Sequence, residues 1–162
     1  MSRKISVNGK TTLEMPVKKA LAIIRNLEFL ELYEPKVDSA QVNAATEMIG
    51  FYTARGHFAG LPWGGKFFYE LEEDGFRSQM LGGSLGIKVM GGFRVKPESD
   101  AICVITHYER YEFPSWLSPF IFLIRSYLRR AMKEELRNLV KLIYQAFRSR
   151  AKPEEGISVS VA

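Results

Sequence analysis

The C-terminal part of the chain has the pattern that most restricts its fold. Over residues 115–148, apolar side chains recur at the spacing of one helix face, and basic side chains recur every fourth residue on the opposite face. An apolar helix face of that length needs an equally long surface to cover it. Because residues 37–113 have the patterns of strands, the sequence predicts a curved antiparallel sheet wrapped around the final helix.

Alternation and turn residues predict the remaining elements. An alternating segment at 4–15 predicts the first strand, and two short helices follow, one opened by Pro16 and one ended before Pro35. Short connectors rich in glycine, proline and acidic residues separate the later strands, which favours hairpins and an antiparallel meander. The predicted later strands are 37–45, 47–58, 65–73, 75–83, 87–97 and 101–113.

The predicted fold class is therefore α+β. It has about seven strands in one curved sheet, two short helices after the first strand and one long C-terminal helix. A chain of 162 residues without a recognisable linker fits a single domain, which we place at residues 1–150. Residues 151–162 have no strong pattern and are predicted to form a flexible tail.

Charge and cysteine content argue against several classes of function. The net charge of +5 is mild and much of the basic excess lies along the final helix, which favours a solvated helix face over a nucleic-acid surface. Cys103 is the only cysteine, so an internal disulfide is impossible, and the sequence has no close spacing of metal ligands. We expect no nucleic-acid partner, no metal and no cofactor.

The apolar run from Trp116 to Ile124 has several interpretations. It is interrupted by Pro119 and followed by Arg125, so it is too short to span a bilayer, and the N-terminus lacks a signal-peptide core. The expected location is the cytoplasm. The run is more apolar than a helix start requires, so transient membrane contact, a gate for lipids, a homodimer contact and ordinary coverage of the barrel mouth all stay open. Both a monomer and a homodimer fit.

The order of elements resembles the START/SRPBCC superfamily, whose helix-grip fold also occurs in polyketide cyclase/dehydratase-like and Bet v 1-like proteins. The resemblance rests on the strand at 5–15 followed by Pro16-Val17-Lys18-Lys19-Ala20-Leu21, on a short helix ending at Tyr33-Glu34-Pro35, and on the pattern of residues 132–141. It spans residues 3–148 and consists of layout and apolar pattern without signature catalytic residues.

This resemblance implies a deep, mainly apolar cavity between the sheet and the last helix. Members bind lipids, sterols, polyketides, quinones or plant hormones, and some catalyse cyclisation, dehydration or condensation. The first hypothesis is a binding or carrier protein for a small hydrophobic molecule. The alternative is a cyclase/dehydratase-type enzyme that acts on such a molecule in the same cavity, and a module that binds a protein partner has the least support.

Large apolar and aromatic side chains on the strands and the helix are the candidates for lining the cavity. Along the strand at 67–71, Phe67 and Tyr69 are predicted to face inward and Glu70 outward. Along 102–109 both faces are mixed, so alternation does not decide which one is inner. The candidate ligand-binding residues are Tyr52, Trp63, Tyr69, Met80, Met90, Phe93, Tyr108, Phe120, Ile124 and Tyr127.

Two histidines and one arginine are the candidates for catalysis. His57 and His107 could each titrate near neutral pH and serve as a general acid or base, although a histidine at the rim or on the outer face is the commoner case. Arg55 is the candidate for a buried or rim cation, because Phe51, Thr53 and Arg55 share one face of a strand near Trp63.

Overall fold

The computed structural model describes residues 2–147 and 156–162. Its eight strands form one antiparallel sheet, with two short helices after the first strand and one long helix after the seventh. The strands are β1 (Arg3–Leu13), β2 (Ser39–Ala44), β3 (Ile49–Phe58), β4 (Leu61–Glu72), β5 (Gly75–Gly83), β6 (Lys88–Ser99), β7 (Ile102–Phe113) and β8 (Ser158–Val161). The helices are α1 (Val17–Ile24), α2 (Leu30–Tyr33) and α3 (Ile121–Ala146).

The sheet is a meander closed by its first strand. The order is β2-β3-β4-β5-β6-β7-β1-β8, so strands β2 to β7 neighbour each other in chain order and β1 returns beside β7. Buried and exposed residues alternate strictly along β3, and buried and partly exposed residues alternate along most of β7. Each of these strands therefore has one face toward α3 and one toward solvent. The predicted α+β helix-grip architecture is confirmed.

Helix α3 covers the inner face of the sheet with its apolar stripe. Leu128, Met132, Leu136 and Leu139 on this helix are fully buried. Gly9 of β1 allows the close approach, because a Cβ at this position would lie 2.5 Å from Leu136 and 2.9 Å from Met132. The helix therefore packs against β1 and leaves room under the other strands.

Two details differ from the sequence prediction, and a third falls on a residue that the structure does not describe. Strand β4 begins at Leu61, so Trp63 belongs to a strand and not to the predicted loop. The long helix starts with a 3₁₀ segment, Ser115–Phe120, because Pro119 cannot donate the hydrogen bond that a continuous helix needs there. Its predicted last residue, Arg148, lies outside the described residues.

Part of the expected flexible tail forms a strand, whereas residues 151–155 of that tail lie outside the described residues. Ser158–Val161 form β8, which pairs with β1 from Val7 opposite Val161 to Lys10 opposite Ser158. The backbones of Ser6 and Ala162 add two further hydrogen bonds, of 2.9 and 2.7 Å. The prediction missed this strand because four residues are too few for an alternation signal. Within the described residues, no helix is long and apolar enough to cross a membrane.

Candidate functional site

A cavity of about 100 Å³ lies between the inner face of the sheet and α3. Its walls are mainly apolar, and aromatic rings supply much of the surface. Tyr52 stacks on Phe67 with ring centres 4.6 Å apart, and Trp63 meets Phe67 edge-on at 6.1 Å. The apolar wall comprises Leu30, Val37, Phe58, Phe67, Phe76, Met80, Leu85, Ile87, Val89 and Phe93. These walls favour an apolar ligand.

The cavity reaches the surface where β5 and β6 separate. Their ladder runs from Gly75 opposite Arg94 to Gln79 opposite Met90 and stops there. Beyond this point the end of β5 and the start of β6 diverge, and Gly83 and Ser84, which are exposed, line the cavity. We call this opening between β5 and β6 the cavity mouth.

Five charged or titratable side chains are buried together at the cavity wall. They come from three separate parts of the fold, which are the segment after α2, β7 and the middle of α3, and each residue is less than a tenth exposed. The group consists of Glu34, Lys36, His107, Glu109 and Glu135, all of which line the cavity. We call it the buried polar cluster.

Lys36 is the central cation of this cluster. Its Nζ lies 3.0 Å from Glu34 Oε1, 3.2 Å from Glu109 Oε1 and 3.6 Å from Glu135 Oε2. Burial alone would lower the pKa of Lys36, but the carboxyl groups of Glu109 and Glu34 outweigh it and raise the pKa above its ordinary value. The Lys36 ammonium therefore stays charged. The backbone at Lys36 is held in place by Trp63, whose Nε1 donates a hydrogen bond to the Lys36 carbonyl at 3.0 Å.

His107 is held in one orientation by contacts on both ring nitrogens and on its face. Nδ1 lies 2.8 Å from the Gly92 carbonyl, Nε2 lies 3.1 Å from Glu135 Oε2, and the ring stacks on Phe93 at 3.9 Å. The Gly92 carbonyl can only accept a hydrogen bond, so Nδ1 carries a proton, and the negative charge of Glu135 beside Nε2 favours the positively charged imidazolium form. Burial lowers the pKa of His107, but the Glu135 carboxylate more than offsets this and the net pKa is about 9.

The pKa values of the Glu34 and Glu135 carboxyl groups are shifted in opposite directions. Burial and the charge of Glu135 raise the pKa of Glu34 to about 8, although Lys36 acts in the other direction. Burial would also raise the pKa of Glu135, but His107 and Lys36 bring it down to about 2. At neutral pH Glu34 is therefore a carboxylic acid beside an ionised Glu135, which is the arrangement of a proton donor next to a fixed negative charge.

Hydroxyl groups complete the polar part of the cavity wall. Tyr111 donates to Glu109 Oε2 at 2.9 Å, and Tyr52 donates to Ser78 Oγ at 3.3 Å. Because Ser78 accepts from Tyr52, its own hydroxyl hydrogen can point to a ligand oxygen. Tyr52, Ser78 and Tyr111 all line the cavity. The wall thus has a neutral donor as well as charged groups.

Four members of the cluster also have the chemistry of a cation site. Glu34, His107, Glu109 and Glu135 each offer one ligand atom, and these atoms lie within 4.8 Å of one another. The Lys36 ammonium contacts all three of those carboxyl groups, so a side chain already supplies positive charge there. The prediction of no metal stays a prediction.

The structure separates the three residues predicted for catalysis. His107 lies in the buried polar cluster, whereas His57 and Arg55 lie on the exposed outer face of β3. The expectation that Arg55 is a buried or rim cation is wrong, because Tyr52, Ala54, Gly56 and Phe58 form the inner face of this strand. His57 contacts Asp38 Oδ2 at 2.8 Å through Nδ1, and both side chains are exposed.

The predicted ligand-binding residues divide into two groups. Tyr52, Trp63, Met80, Met90 and Phe93 line the cavity, although the Met90 side chain is 43% exposed. The other five predicted residues, Tyr69, Tyr108, Phe120, Ile124 and Tyr127, do not line it.

These five residues lie elsewhere for identifiable reasons. Tyr69 is buried on the inner face as expected but away from the cavity, and Tyr108 lies on the outer face of β7. Phe120 is 52% exposed, Ile124 is buried in the core, and Tyr127 packs on Phe58 at 5.0 Å. The predicted cavity wall near the start of α3 is wrong, since Glu135 is the residue that this helix contributes to the cavity.

Sequence reasoning missed three members of the buried polar cluster. Glu34 and Lys36 flank Pro35 in a short connector, where charged residues are usually exposed. Glu135 could have been identified from the sequence, because it lies within the apolar stripe of α3 between Met132 and Leu139. A charge inside such a stripe must be paired or must serve a site.

Comparisons with known proteins show the fold. No protein-family model matches the chain, and no curated protein matches it. Among solved structures, the ZhuI aromatase/cyclase of Streptomyces sp. R1128 superposes with a TM-score of 0.79 at 8% identity, over 90% of this chain and 97% of that one. The protein TTHA0849 of Thermus thermophilus has a TM-score of 0.76 at 17% identity, over 87% of this chain and 98% of that one.

A third solved structure, a START superfamily protein of Mycobacterium smegmatis, has a TM-score of 0.70 at 9% identity, over 86% of this chain and 99% of that one. These neighbours confirm the resemblance to START/Bet v 1-like proteins at the level of fold. At identities this low they carry no residue roles over to this chain, so the function has to be argued from the cavity itself.

Proposed function

We propose that this protein binds a small, mainly apolar carbonyl compound in the cavity and catalyses proton transfer on it, as a cyclase or dehydratase would. The observation that carries the proposal is the buried polar cluster at the wall of an otherwise apolar cavity. Burying several ionisable groups is costly, and it does not add stability over a well-packed apolar core. Groups buried with strongly shifted pKa values beside a ligand cavity are typical of active sites.

The shifted pKa values assign a role to each group. Glu34, with a pKa of about 8, can exchange a proton with a ligand near neutral pH. In its ionised form it removes a proton from the carbon next to the ligand carbonyl, and the electrons of that C–H bond form an enolate. The positive charges of Lys36 and His107 favour the negative charge that develops. The Ser78 hydroxyl, which accepts from Tyr52, is placed to donate to the ligand oxygen.

The enolate has two productive fates in such a cavity. It can attack a second carbonyl group of the same ligand, which forms a carbon–carbon bond while the new alkoxide takes the proton from Glu34. Alternatively, it can expel a hydroxyl group from the carbon next to the deprotonated one. That hydroxyl group takes the proton from Glu34 and leaves as water. Both outcomes return Glu34 to the ionised form, and the apolar walls keep bulk water from the reacting atoms.

The second candidate is carriage of an apolar ligand without chemistry. The mainly apolar wall supports this candidate, because Phe58, Phe67, Phe76 and Phe93 offer contacts that any hydrophobic molecule can use. The structural neighbour from Streptomyces is named as an aromatase/cyclase, whereas another, from Xanthomonas axonopodis, is named as a STAR-related lipid transfer protein. The fold therefore fits both candidates, and the buried polar cluster favours the enzyme.

Deuterium exchange into ketones separates the two candidates. The probes are methyl ketones of increasing length, from acetophenone to 2-undecanone, incubated with the protein in D₂O and followed by proton NMR. We expect the protein to accelerate exchange next to the carbonyl by at least about 100-fold over buffer. The rate should peak between pH about 8, where Glu34 becomes ionised, and pH about 9, where His107 loses its proton.

Matched variants test the assignment. Glu34→Gln keeps the shape of the side chain and should abolish the acceleration, whereas Glu31→Gln, at an exposed position of α2, should leave it unchanged. Native mass spectrometry of the purified protein shows whether an apolar ligand is bound. If a ligand or probe binds but exchange is no faster than in buffer, the enzyme hypothesis is wrong and carriage is supported. If nothing binds, both candidate functions are wrong.

A further inference from the structure

Large apolar side chains are exposed at one end of the molecule. Phe122 is 79% exposed and Leu123 is 64% exposed, although both begin a helix whose other residues include a well-buried stripe. Together with residues of the β3–β4 hairpin, of β5 and of the 3₁₀ segment they form what we call the apolar rim. It consists of Leu61, Leu81, Trp116, Phe120, Phe122 and Leu123.

The sheet topology places the apolar rim at the end where the cavity opens. Phe58 pairs with Leu61, Gly65 pairs with Gly83, and Arg3 pairs with Phe113, so the β3–β4 hairpin, the end of β5 and the end of β7 lie at one end of the sheet. The 3₁₀ segment and the first turn of α3 follow β7 directly. The cavity mouth between β5 and β6 lies at this same end.

Charge differs between the two ends of the sheet. The turns at the mouth end, 59–60 and 84–87, contain no charged residue, and neither does the 3₁₀ segment Ser115–Phe120. The turns at the opposite end carry four acidic residues and no basic ones: Glu47, Glu73, Asp74 and Asp100. At the opposite end Arg94 pairs with Asp74, so the feature that distinguishes the mouth end is that its turns present no negative charge to an anionic surface.

Exposed basic residues lie at the same end of the molecule as the apolar rim. Arg3 and Lys4 begin β1, Lys88 begins β6, and Arg125 lies one turn into α3, and all four are exposed. Glu112 lies opposite both Lys4 and Lys88 in the ladders, so one acidic residue faces two basic ones. Apolar side chains accompanied by Lys and Arg are typical of surfaces that insert shallowly into a bilayer of anionic lipid.

We propose that the apolar rim docks the protein on an anionic phospholipid bilayer, with the cavity mouth facing the membrane. In this orientation a hydrophobic molecule dissolved in the bilayer reaches the cavity without crossing water. Docking is a property of the surface and does not depend on the chemistry proposed for the cavity, so a protein without activity on ketones would still bind membranes.

Vesicle binding tests the docking. Vesicles of phosphatidylcholine, with and without phosphatidylglycerol, are sedimented with the protein. The fluorescence of Trp116 is recorded in the variant Trp63→Phe, in which it is the one remaining tryptophan, with brominated lipid as the quencher. We expect binding to the anionic vesicles, a blue shift with quenching of Trp116, and weaker binding as salt is raised. The double variant Phe122→Ser/Leu123→Ser should bind at least about tenfold more weakly, since two large apolar side chains no longer enter the lipid.

Control variants separate docking from loss of folding and from self-association. Met48→Ser removes an exposed apolar side chain at the opposite end, where Met48 is 45% exposed, and should leave vesicle binding unchanged. Arg125→Glu should weaken binding to anionic vesicles more than to neutral ones. Failure of the wild-type protein to bind anionic vesicles would overturn the proposal. So would a wild-type dimer, seen by light scattering, that the double variant converts to a monomer, because the rim would then be a dimer interface.

Discussion

The two histidines of this protein each face a carboxylate, yet they lie in very different surroundings. His57 Nδ1 is 2.8 Å from Asp38 Oδ2, with the side chains 59% and 60% exposed. His107 Nε2 is 3.1 Å from Glu135 Oε2, with the side chains 5% and 1% exposed. The exposed pair is the shorter one, but solvent screens it and leaves it with a small effect on stability. The buried pair is longer and far more consequential, because the interior screens charge weakly.

The two histidines therefore differ in burial much more than in the distance to their carboxylate. At His57, water can replace either partner at little cost. At His107, the ring is fixed by Gly92, Glu135 and the face of Phe93, and because both charges are buried, water cannot take the place of a partner that is removed.

Lys36→Met should be the most damaging of these changes. It leaves three buried carboxyl groups without their central cation, and breaking a buried ion pair in this way costs about 3–5 kcal/mol of unfolding free energy. Urea denaturation measures the loss, and Lys88→Met, at an exposed site, should leave the denaturation midpoint unchanged. A loss as small as that of Lys88→Met would show that Lys36 is not needed to balance the cluster.

The stability of the protein should fall as pH rises from about 6.5 to about 9. His107 has a folded-state pKa of about 9 against an ordinary value of 6.5, so its stabilising contribution is complete below 6.5 and is lost through 9. Glu34, raised from 4.5 to about 8, acts in the same direction between those values. Each group contributes at most about 1.4 kcal/mol per pH unit. Thermal unfolding across this range measures the slope.

The matched pair His107→Gln and His57→Gln sharpens this pH test. His107→Gln keeps a donor toward Glu135 but cannot titrate, so it should flatten the slope above pH 6.5, where His107 begins to lose its proton. His57→Gln should give a slope parallel to that of the wild type. Parallel slopes for both variants would show that His107 does not become protonated on folding.

Phe93→Leu should have an intermediate effect. The Phe93 ring stacks on His107 at 3.9 Å, meets Tyr33 edge-on at 5.9 Å and contacts Phe76 at 5.6 Å, so its loss removes three aromatic contacts and leaves a small cavity. We expect a cost of about 1–2 kcal/mol by urea denaturation. Phe51→Leu, on the outer face of β3, is the control, and an equal cost for both would contradict the special environment of Phe93.

His57→Gln should have the smallest effect on stability. An exposed side chain away from special features usually changes unfolding free energy by less than about 0.5 kcal/mol, and added salt should reduce even this difference. Denaturation in low and high salt measures it. A cost comparable to that of His107→Gln would mean that exposure does not separate the two histidines.

Most of the fold could be predicted from the sequence because its signals are local. The strand alternation at 67–71 correctly placed Phe67 and Tyr69 inside and Glu70 outside, where it pairs with Arg77. Along β3 the same reasoning selected the wrong face as the buried one. Phe51 and Tyr52 are both aromatic, so alternation alone does not tell which of the two strand faces is buried.

The candidate site could be predicted only in part because its members come from distant parts of the chain. His107 and Glu109 lie two residues apart on β7 and therefore share a strand face, but Glu34, Lys36 and Glu135 meet them through tertiary packing. Gly56 is one reason for that packing: a Cβ there would lie 1.9 Å from the Lys36 carbonyl oxygen, so only glycine lets this connector press against β3. No local pattern marks such a contact in advance.

A histidine NMR titration tests the central claim most directly. Nitrogen-15 spectra of the side chains distinguish an imidazolium ring, with both nitrogens protonated, from a neutral one, and the two histidines can be assigned with His57→Gln. We expect His107 to be an imidazolium at pH 7 and to lose its proton near pH 9, with both N–H protons protected from exchange with water. A neutral His107 at pH 7 would contradict the buried ion pair with Glu135, and with it the acid–base role proposed for the cluster.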